Sequence, residues 1–178
     1  GHHAVLVQAG AGMGANIPDD QFAAAGATIV SAAPDVYAQA EILLKVRAPA
    51  DGELAQMRSG QVLIGLLNPH NKPGAEALAR SGVTAFAMEL LPRISRAQSM
   101  DVLSSQANIG GYKAVMLAAT TFQRLMPMLM TAAGTVKAAR VVVMGVGVAG
   151  LQAIATAKRL GAVVEATDVR PETKEQVE

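Results

Sequence analysis

Short apolar segments alternate with helical patterns along the first half of the chain. Runs of β-branched and other apolar residues predict five strands, at Val5–Val7, Thr28–Val30, Ile42–Val46, Val62–Leu67 and Val83–Ala87. Helical patterns fall between these strands, near Asp19–Ala25, Gly52–Arg58 and Pro73–Ser81. Strands and helices that alternate in this order are typical of a parallel sheet flanked by helices, so we expect an α/β fold.

The pattern changes after Glu89. Residues 90–100 are polar and loop-like, and a long helix is predicted from Asp101 to about Phe122. A mostly small-residue stripe at three- and four-residue spacing favours close packing of this helix against another element. The stripe comprises Leu103, Ala107, Gly110, Ala114, Leu117 and Thr121. We place the domain boundary near residue 125, which gives one domain at 1–125 and a second at 126–178.

The second domain begins with a strand, a glycine-rich turn, a helix and another strand. In chain order these are Val141–Met144, Gly145-x-Gly147-x-x-Gly150, Leu151–Leu160 and Val163–Thr167, followed by Asp168. A glycine motif alone is weak evidence, but the five features in this order indicate a dinucleotide-binding half-unit. Such a domain needs further strands, so we expect two Rossmann-like parallel-sheet domains joined by a long helix, the second truncated. The first domain is also compatible with a missing opening strand.

Each residue type in this half-unit suits a different region of a dinucleotide. Gly145 permits the tight turn, Gly147 lets the backbone approach a pyrophosphate, and Gly150 lets the helix pack close to the strand. The helix N-terminus offers N–H groups to the phosphates. Asp168 can accept ribose hydroxyls and would repel a 2′-phosphate, which favours NAD over NADP, although the nearby Arg170 weakens that preference.

A similar glycine loop at Gly10–Ala15 lacks the confirming context. Asn16, Ile17 and Pro18 separate it from the next helix, and the following strand ends in Ser31 rather than in an acid. We therefore interpret this loop as a plain connection in the first domain.

Composition limits the function classes further. Apolar residues make up 51% of the chain, formal net charge is +1, and there is no cysteine. The charge balance argues against nucleic-acid binding, and the lack of cysteine excludes thiolate catalysis and disulfides. No cluster has metal-ligand spacing. Mean hydropathy is +0.31, yet the apolar tracts at 125–136 and 141–157 are shorter than the ~20 residues that a spanning helix needs.

Three segments together carry a family resemblance. They are Pro92–Asn108 (PRISRAQSMDVLSSQAN), Ala149–Ala162 (AGLQAIATAKRLGA) and Thr167–Pro171 (TDVRP). The chain resembles, over nearly its whole length, the NAD(H)-binding domain of the alpha subunit of proton-translocating NAD(P) transhydrogenase. Alanine dehydrogenases share the second segment and a similar fold.

The resemblance implies roles for particular residues. The segment Arg93, Ile94, Ser95 and Arg96 would lie against NAD(H), with Arg93 paired to Asp101. Asp101 and Ser104 would hold the nicotinamide carboxamide, and Gln98 would lie near the nicotinamide ribose. The pyrophosphate turn would comprise Gly145, Gly147, Val148 and Gly150, and the adenosine ribose would meet Asp168, Val169 and Arg170.

The resemblance also implies an activity and its setting. Hydride would pass directly between NADH and NADP⁺, with NADP(H) on a partner domain and a membrane domain coupling the exchange to proton movement. The chain would be a fragment of a homodimeric enzyme subunit. It would itself be soluble and peripheral, on the cytoplasmic side of the bacterial inner membrane.

Other interpretations stay open. Ser95 and Gln98 fit a helix capping box, Asp101 suits the first turn of a helix, and Arg93 and Arg96 suit a solvated loop. The alternative activity is alanine dehydrogenase: Lys45 matches its substrate lysine, but Asn68 stands where its histidine is expected, and His70 lies two residues further on. A further alternative is a non-catalytic NAD-binding module.

Overall fold

The computed structural model describes residues 3–171 and 173. The chain divides into two compact units, one ending at Met100 and the other beginning at Asp101. The long helix therefore groups with the second unit, whereas the sequence pattern suggests a boundary after it, near residue 125. The domain ranges 1–125 and 126–178 remain a prediction.

The first unit consists of parallel strands with connecting helices, as predicted. Its strands are β1 (Leu6–Gln8), β2 (Thr28–Val30), β3 (Ile42–Arg47), β4 (Val62–Leu66) and β5 (Thr84–Ala87). Its α-helices are α1 (Asp19–Ala24), α2 (Ala33–Gln39), α3 (Asp51–Leu54) and α4 (Lys72–Ser81), and 3-10 helices lie at Met13–Ala15, Met88–Leu90 and Ser95–Met100. Strand β1 pairs with β2, and β3, β4 and β5 form a second sheet in that order.

The core of this unit lies on one face of the β3-β4-β5 sheet. Alternate residues of a strand point to one face, so Leu43 of β3 and Leu63 of β4 meet there and are buried. Tyr37 of α2 and Met57 pack against them. Burial of each large apolar side chain contributes about 1.5–3 kcal/mol. Helix α2, which the sequence pattern did not predict, therefore supplies some of this core.

The second unit contains the predicted half-unit. Helix α5 spans Val102–Phe122, β6 (Leu129–Thr131) and β7 (Gly134–Val136) form an antiparallel hairpin, and β8 (Arg140–Met144) pairs in parallel with β9 (Val163–Thr167). Helix α6 (Val148–Arg159) joins β8 to β9. This mixed α/β architecture with parallel sheets confirms the predicted fold class, while the hairpin was not foreseen.

Helices α5 and α6 pack at very short range. A Cβ built on Gly111 would lie 2.1 Å from the carbonyl oxygen of Ala149, so only glycine fits there. The predicted stripe is wrong in its face, because Gly110 and Leu117 are exposed whereas Gly111 and Val115 are buried. The helix is apolar almost all round, and its pattern therefore does not select the packed side.

Candidate nucleotide-binding site

The glycine-rich turn between β8 and α6 has the backbone shape that its sequence predicts. Gly145 has a φ of +97°, a left-handed conformation that residues with a Cβ rarely adopt. Its N–H donates to the carbonyl oxygen of Thr167 over 2.7 Å. The turn is therefore tied to the carboxyl end of the neighbouring strand β9.

Gly150 allows α6 to approach the turn and β8. A Cβ at Gly150 would lie 1.8 Å from the carbonyl oxygen of Gly145 and 3.6 Å from Cγ1 of Val143. The first of these distances is far shorter than any van der Waals contact. A side chain at this position would therefore push the helix away from the strand.

Gly147 is different, because it faces open space. Among the described residues, no heavy atom outside its immediate chain neighbours lies within 4 Å of a Cβ built on Gly147. Gly147 is the N-cap of α6, whose first residue is the exposed Val148. The first N–H groups of a helix have no partner within the helix and carry partial positive charge. This open helix end fits an anionic group such as a pyrophosphate.

Asp168 holds the glycine turn from the end of β9. One of its carboxylate oxygens, Oδ2, accepts a hydrogen bond from the N–H of Val146 over 2.6 Å. The other, Oδ1, accepts from the N–H of Arg170 over 2.8 Å and from its Nε over 3.0 Å, and Nη2 of Arg170 donates to Oδ2 over 3.1 Å. The side chain of Asp168 is only 6% exposed.

These donors fix the charge of Asp168. The Arg170 guanidinium, followed by the N–H groups of Val146 and Arg170, holds the pKa of the Asp168 carboxyl well below its usual range. A permanent carboxylate beside a glycine turn is the group that accepts ribose hydroxyls in dinucleotide-binding folds. The neighbouring Val169 is 98% exposed, so nothing in the described residues covers this edge.

Asp101 and Ser104 form a cap at the start of α5. Oδ1 of Asp101 accepts from the N–H of Ser104 over 2.9 Å, and Oγ of Ser104 donates to Oδ2 of Asp101 over 2.7 Å. Asp101 is the N-cap, so the helix begins at Val102 rather than at the predicted Asp101. The two residues assigned to the carboxamide are thus in contact and also have a structural role.

The remaining predicted site residues belong to the first unit. Arg93, Ile94, Ser95, Arg96 and Gln98 are all exposed, and Ser95 begins a 3-10 helix in the segment predicted to be a loop. Buried Ala97 anchors this segment. The pairing of Arg93 with Asp101 would join different units and stays a prediction.

A polar cluster around Lys45 in the first unit was not predicted from the sequence. Nζ of Lys45 donates to Oε1 of Glu53 over 2.6 Å and to the hydroxyl of Tyr37 over 3.3 Å, and that hydroxyl donates to Glu53 over 2.9 Å. The hydrogen bond from Lys45, aided by the N–H of Ala50, lowers the pKa of Glu53 to about 2. Lys45 therefore belongs to a hydrogen-bonded network and is not a solvated charge at a strand end.

This cluster makes the stability of the protein depend on pH. Because the folded-state pKa of Glu53 lies below the ordinary 4.5, its stabilisation is complete above pH 4.5 and is lost as pH falls towards 2. We expect Glu53→Gln to lower the free energy of unfolding by roughly 1–2 kcal/mol at pH 7, after allowance for solvent screening. The difference from the unmodified protein should disappear near pH 2, as measured by urea unfolding across this range.

Glu76→Gln is the matched control, because Glu76 and Arg80 form an exposed pair at 3.8 Å. This change should alter the unfolding free energy by less than about 0.5 kcal/mol at any pH. A pH profile of Glu53→Gln parallel to that of the unmodified protein would contradict the assignment.

A second unforeseen contact organises the loop after β4. The carboxylate of Glu89 accepts from the N–H groups of Leu67 over 3.1 Å and Asn68 over 2.7 Å. Burial opposes ionisation of Glu89, but hydrogen bonds from its own backbone and from Asn68 and Leu67 outweigh it and lower the pKa. Asn68 has a φ of +51°, and this clamp holds it there. The adjacency of parallel strand ends was the available signal.

The described residues contain neither a metal centre nor a membrane span. Among residues 3–171 and 173, no group of three or more His, Asp or Glu side chains is arranged to hold a metal ion. Within the same residues, no helix combines the length and apolar character needed to cross a membrane.

Comparison with known families identifies the class of protein. Residues 1–110 match the family "Alanine dehydrogenase/PNT, N-terminal domain", and residues 114–178 match "Alanine dehydrogenase/PNT, C-terminal domain". The chain therefore belongs to the alanine dehydrogenase/PNT family. This finding confirms the resemblance drawn from the sequence.

Within that family, the chain is highly similar to transhydrogenase alpha subunits. It is 59% identical to an NAD(P) transhydrogenase subunit alpha polypeptide of Rhodospirillum rubrum, over 98% of this chain and 47% of that protein. It is similar, with a TM-score of 0.93 and 58% identity, to a crystal structure of transhydrogenase from Sinorhizobium meliloti, over 98% of this chain and 52% of that one. The chain thus spans about half the length of these relatives.

Alanine dehydrogenases are more distant. The enzyme of Mycolicibacterium smegmatis is 37% identical over 99% of this chain and 48% of its own length. A solved L-alanine dehydrogenase has a TM-score of 0.85 at 30% identity, over 98% of this chain and 49% of that one.

Proposed function

We propose that this chain is the NAD(H)-binding portion of a proton-translocating, Re/Si-specific NAD(P) transhydrogenase. The observation that carries the proposal is the glycine turn of Gly145, Gly147 and Gly150, anchored by the carboxylate of Asp168. Similarity to transhydrogenase alpha subunits over nearly the whole chain supports the choice of enzyme.

The second unit would bind the adenosine half of NAD(H). The pyrophosphate would lie against Gly145, Gly147, Val148 and Gly150, where the open N-terminus of α6 favours negative charge. Asp168, with Val169 and Arg170 beside it, would accept the ribose hydroxyls. The low pKa of Asp168 supports this role because the residue stays charged and would repel a 2′-phosphate.

The nicotinamide would be held by residues that position it. The carboxylate of Asp101 and the hydroxyl of Ser104 lie 2.7 Å apart and together can accept from and donate to a carboxamide. Gln98 and the segment Arg93, Ile94, Ser95 and Arg96 would complete the pocket from the first unit. Bound NAD(H) supplies the carbon that gives or takes the hydride. Direct transfer needs no general acid or base, and histidine is absent from this residue set.

The Lys45 cluster favours transhydrogenase over alanine dehydrogenase. Oxidative deamination needs a group that accepts a proton from the amino group. Asn68 stands at the expected histidine position, and the ammonium of Lys45 is engaged by Glu53 and Tyr37. Formation of NADH from L-alanine and NAD⁺ would support the alternative enzyme, and binding without any transfer would support a non-catalytic module.

The complete enzyme would place this portion beside other domains. NADP(H) would bind a partner domain, a membrane domain would couple hydride exchange to proton translocation, and two copies of the NAD(H)-binding portion would form a homodimer. That portion would be peripheral, on the cytoplasmic side of the bacterial inner membrane.

Nucleotide titration of the full-length protein tests the cofactor assignment. We expect NADH to bind at least about tenfold more tightly than NADPH, followed by nicotinamide fluorescence, because Asp168 repels the 2′-phosphate; this corresponds to about 1.4 kcal/mol. Asp168→Asn should weaken NADH binding and narrow the difference. The matched control is Glu165→Gln, which removes an exposed carboxylate from the same strand. Equal affinities for NADH and NADPH in the unmodified protein would refute the role of Asp168.

A further inference from the structure

The acceptor positions of Asp168 are filled by the chain itself. An ionised carboxylate offers about four lone-pair positions. Asp168 receives four hydrogen bonds: one from the N–H of Val146, one from the N–H of Arg170, and two from the Arg170 guanidinium. A ribose that donates its hydroxyls to Asp168 therefore needs some of these donors to leave.

Only the guanidinium can leave without moving the backbone. The N–H of Val146 is fixed by the glycine turn, and the N–H of Arg170 is fixed by the chain two residues from Asp168. The side chain of Arg170 is 57% exposed, so water can replace the hydrogen bonds it gives up. Its two nitrogens bond one to each oxygen of Asp168, as the two hydroxyls of a vicinal diol would.

Building on the proposed function, we propose that Arg170 is an affinity-setting residue whose guanidinium occupies the ribose position on Asp168. Adenosine ribose binds by displacing this guanidinium, so Arg170 weakens binding of any ligand that carries the diol. Exposed ion pairs contribute little, up to about 1 kcal/mol, which corresponds to about a fivefold change in affinity. Arg170 thus lowers affinity moderately without closing the site.

Uncharged ligands separate this effect from attraction between arginine and phosphate. In the full-length protein, adenosine and 2′,3′-dideoxyadenosine compete with NADH, and their dissociation constants are read from NADH fluorescence. Arg170→Ala should tighten adenosine binding by about two- to fivefold and leave dideoxyadenosine unchanged. Arg170→Lys, which cannot form the two-point contact, should give an intermediate tightening. Arg140→Ala is the matched control, because it removes an exposed, paired arginine from the same unit.

Unchanged or weaker adenosine binding by Arg170→Ala overturns the inference, since the guanidinium then does not compete with ribose. Equal tightening of adenosine and dideoxyadenosine also overturns it, because the diol is then irrelevant. Failure of the proposed function looks different: the unmodified protein would not bind NADH, or it would not distinguish adenosine from dideoxyadenosine. Thermal unfolding of each variant shows that the compared proteins are folded.

Discussion

Replacing Gly150 with alanine is expected to abolish dinucleotide binding and to lower the free energy of unfolding by about 1–3 kcal/mol. The added Cβ would lie 1.8 Å from the carbonyl oxygen of Gly145. Alanine gains up to about 1 kcal/mol of helix propensity over glycine, but this does not offset displacement of the helix from the strand. Urea unfolding measures the stability, and NADH fluorescence titration measures the binding.

Gly147→Ala provides the control for this change. Gly147 has a φ of −78° and open space around its Cβ direction, so alanine fits the free protein. We expect a stability change below about 1 kcal/mol but NADH binding weakened by about tenfold or more, since the methyl group would occupy the pyrophosphate position. If Gly150→Ala is as stable as Gly147→Ala and binds NADH normally, the close packing of α6 on the turn is not required.

The nucleotide half-unit was predictable because its local signals agree. The β-branched run before Gly145, the glycine spacing and the second run ending at Asp168 each act over a few residues, and the structure follows all three. The structural roles of Gly145 and Gly150 also follow from their spacing, since a left-handed turn and a close helix each need glycine. What spacing does not contain is the bond from Val146 to Asp168, which joins the ends of two strands.

Elements without such agreement were harder to foresee. Helix α2 has signals of its own, with Pro34 in its first turn and Asp35 beside it, yet its seven residues form a short pattern between two strands. The hairpin after Pro127 turns at Gly134, where φ is +133°. Methionines on either side of that proline gave no period that distinguishes strand from helix.

Contacts at long range account for most of what the sequence left open. Glu89 reaches the backbone of Leu67 and Asn68 only because β4 and β5 are neighbours in the sheet. Glu53 meets Lys45 because α3 follows β3 closely and returns over its end. Gly111 rather than Gly110 packs against α6, a choice that only the facing helix determines. In each case the residue type suited the role, and the partner was set by tertiary structure.

Asp101→Asn is expected to reduce hydride exchange by about 10–100-fold with little loss of stability. Asparagine caps helices about as well as aspartate, so the unfolding free energy should change by less than about 0.5 kcal/mol. The amide removes the negative charge and replaces one acceptor oxygen by a donor, which disturbs both Ser104 and a bound carboxamide. Small errors in the position of a reacting group cost about this much in rate. The measurement is the rate of exchange between NADH and NADP⁺ in the full-length enzyme.

Asp101→Ala separates capping from positioning. It should lose about 1 kcal/mol of stability as well as activity, because the N–H of Ser104 loses its acceptor. Ser105→Ala is the matched control, since the Ser105 hydroxyl donates to the backbone carbonyl of Asp101 and touches neither carboxylate oxygen. If Asp101→Asn exchanges hydride at the unmodified rate while Asp101→Ala is destabilised, Asp101 is only a helix cap. The nicotinamide must then be positioned by other residues.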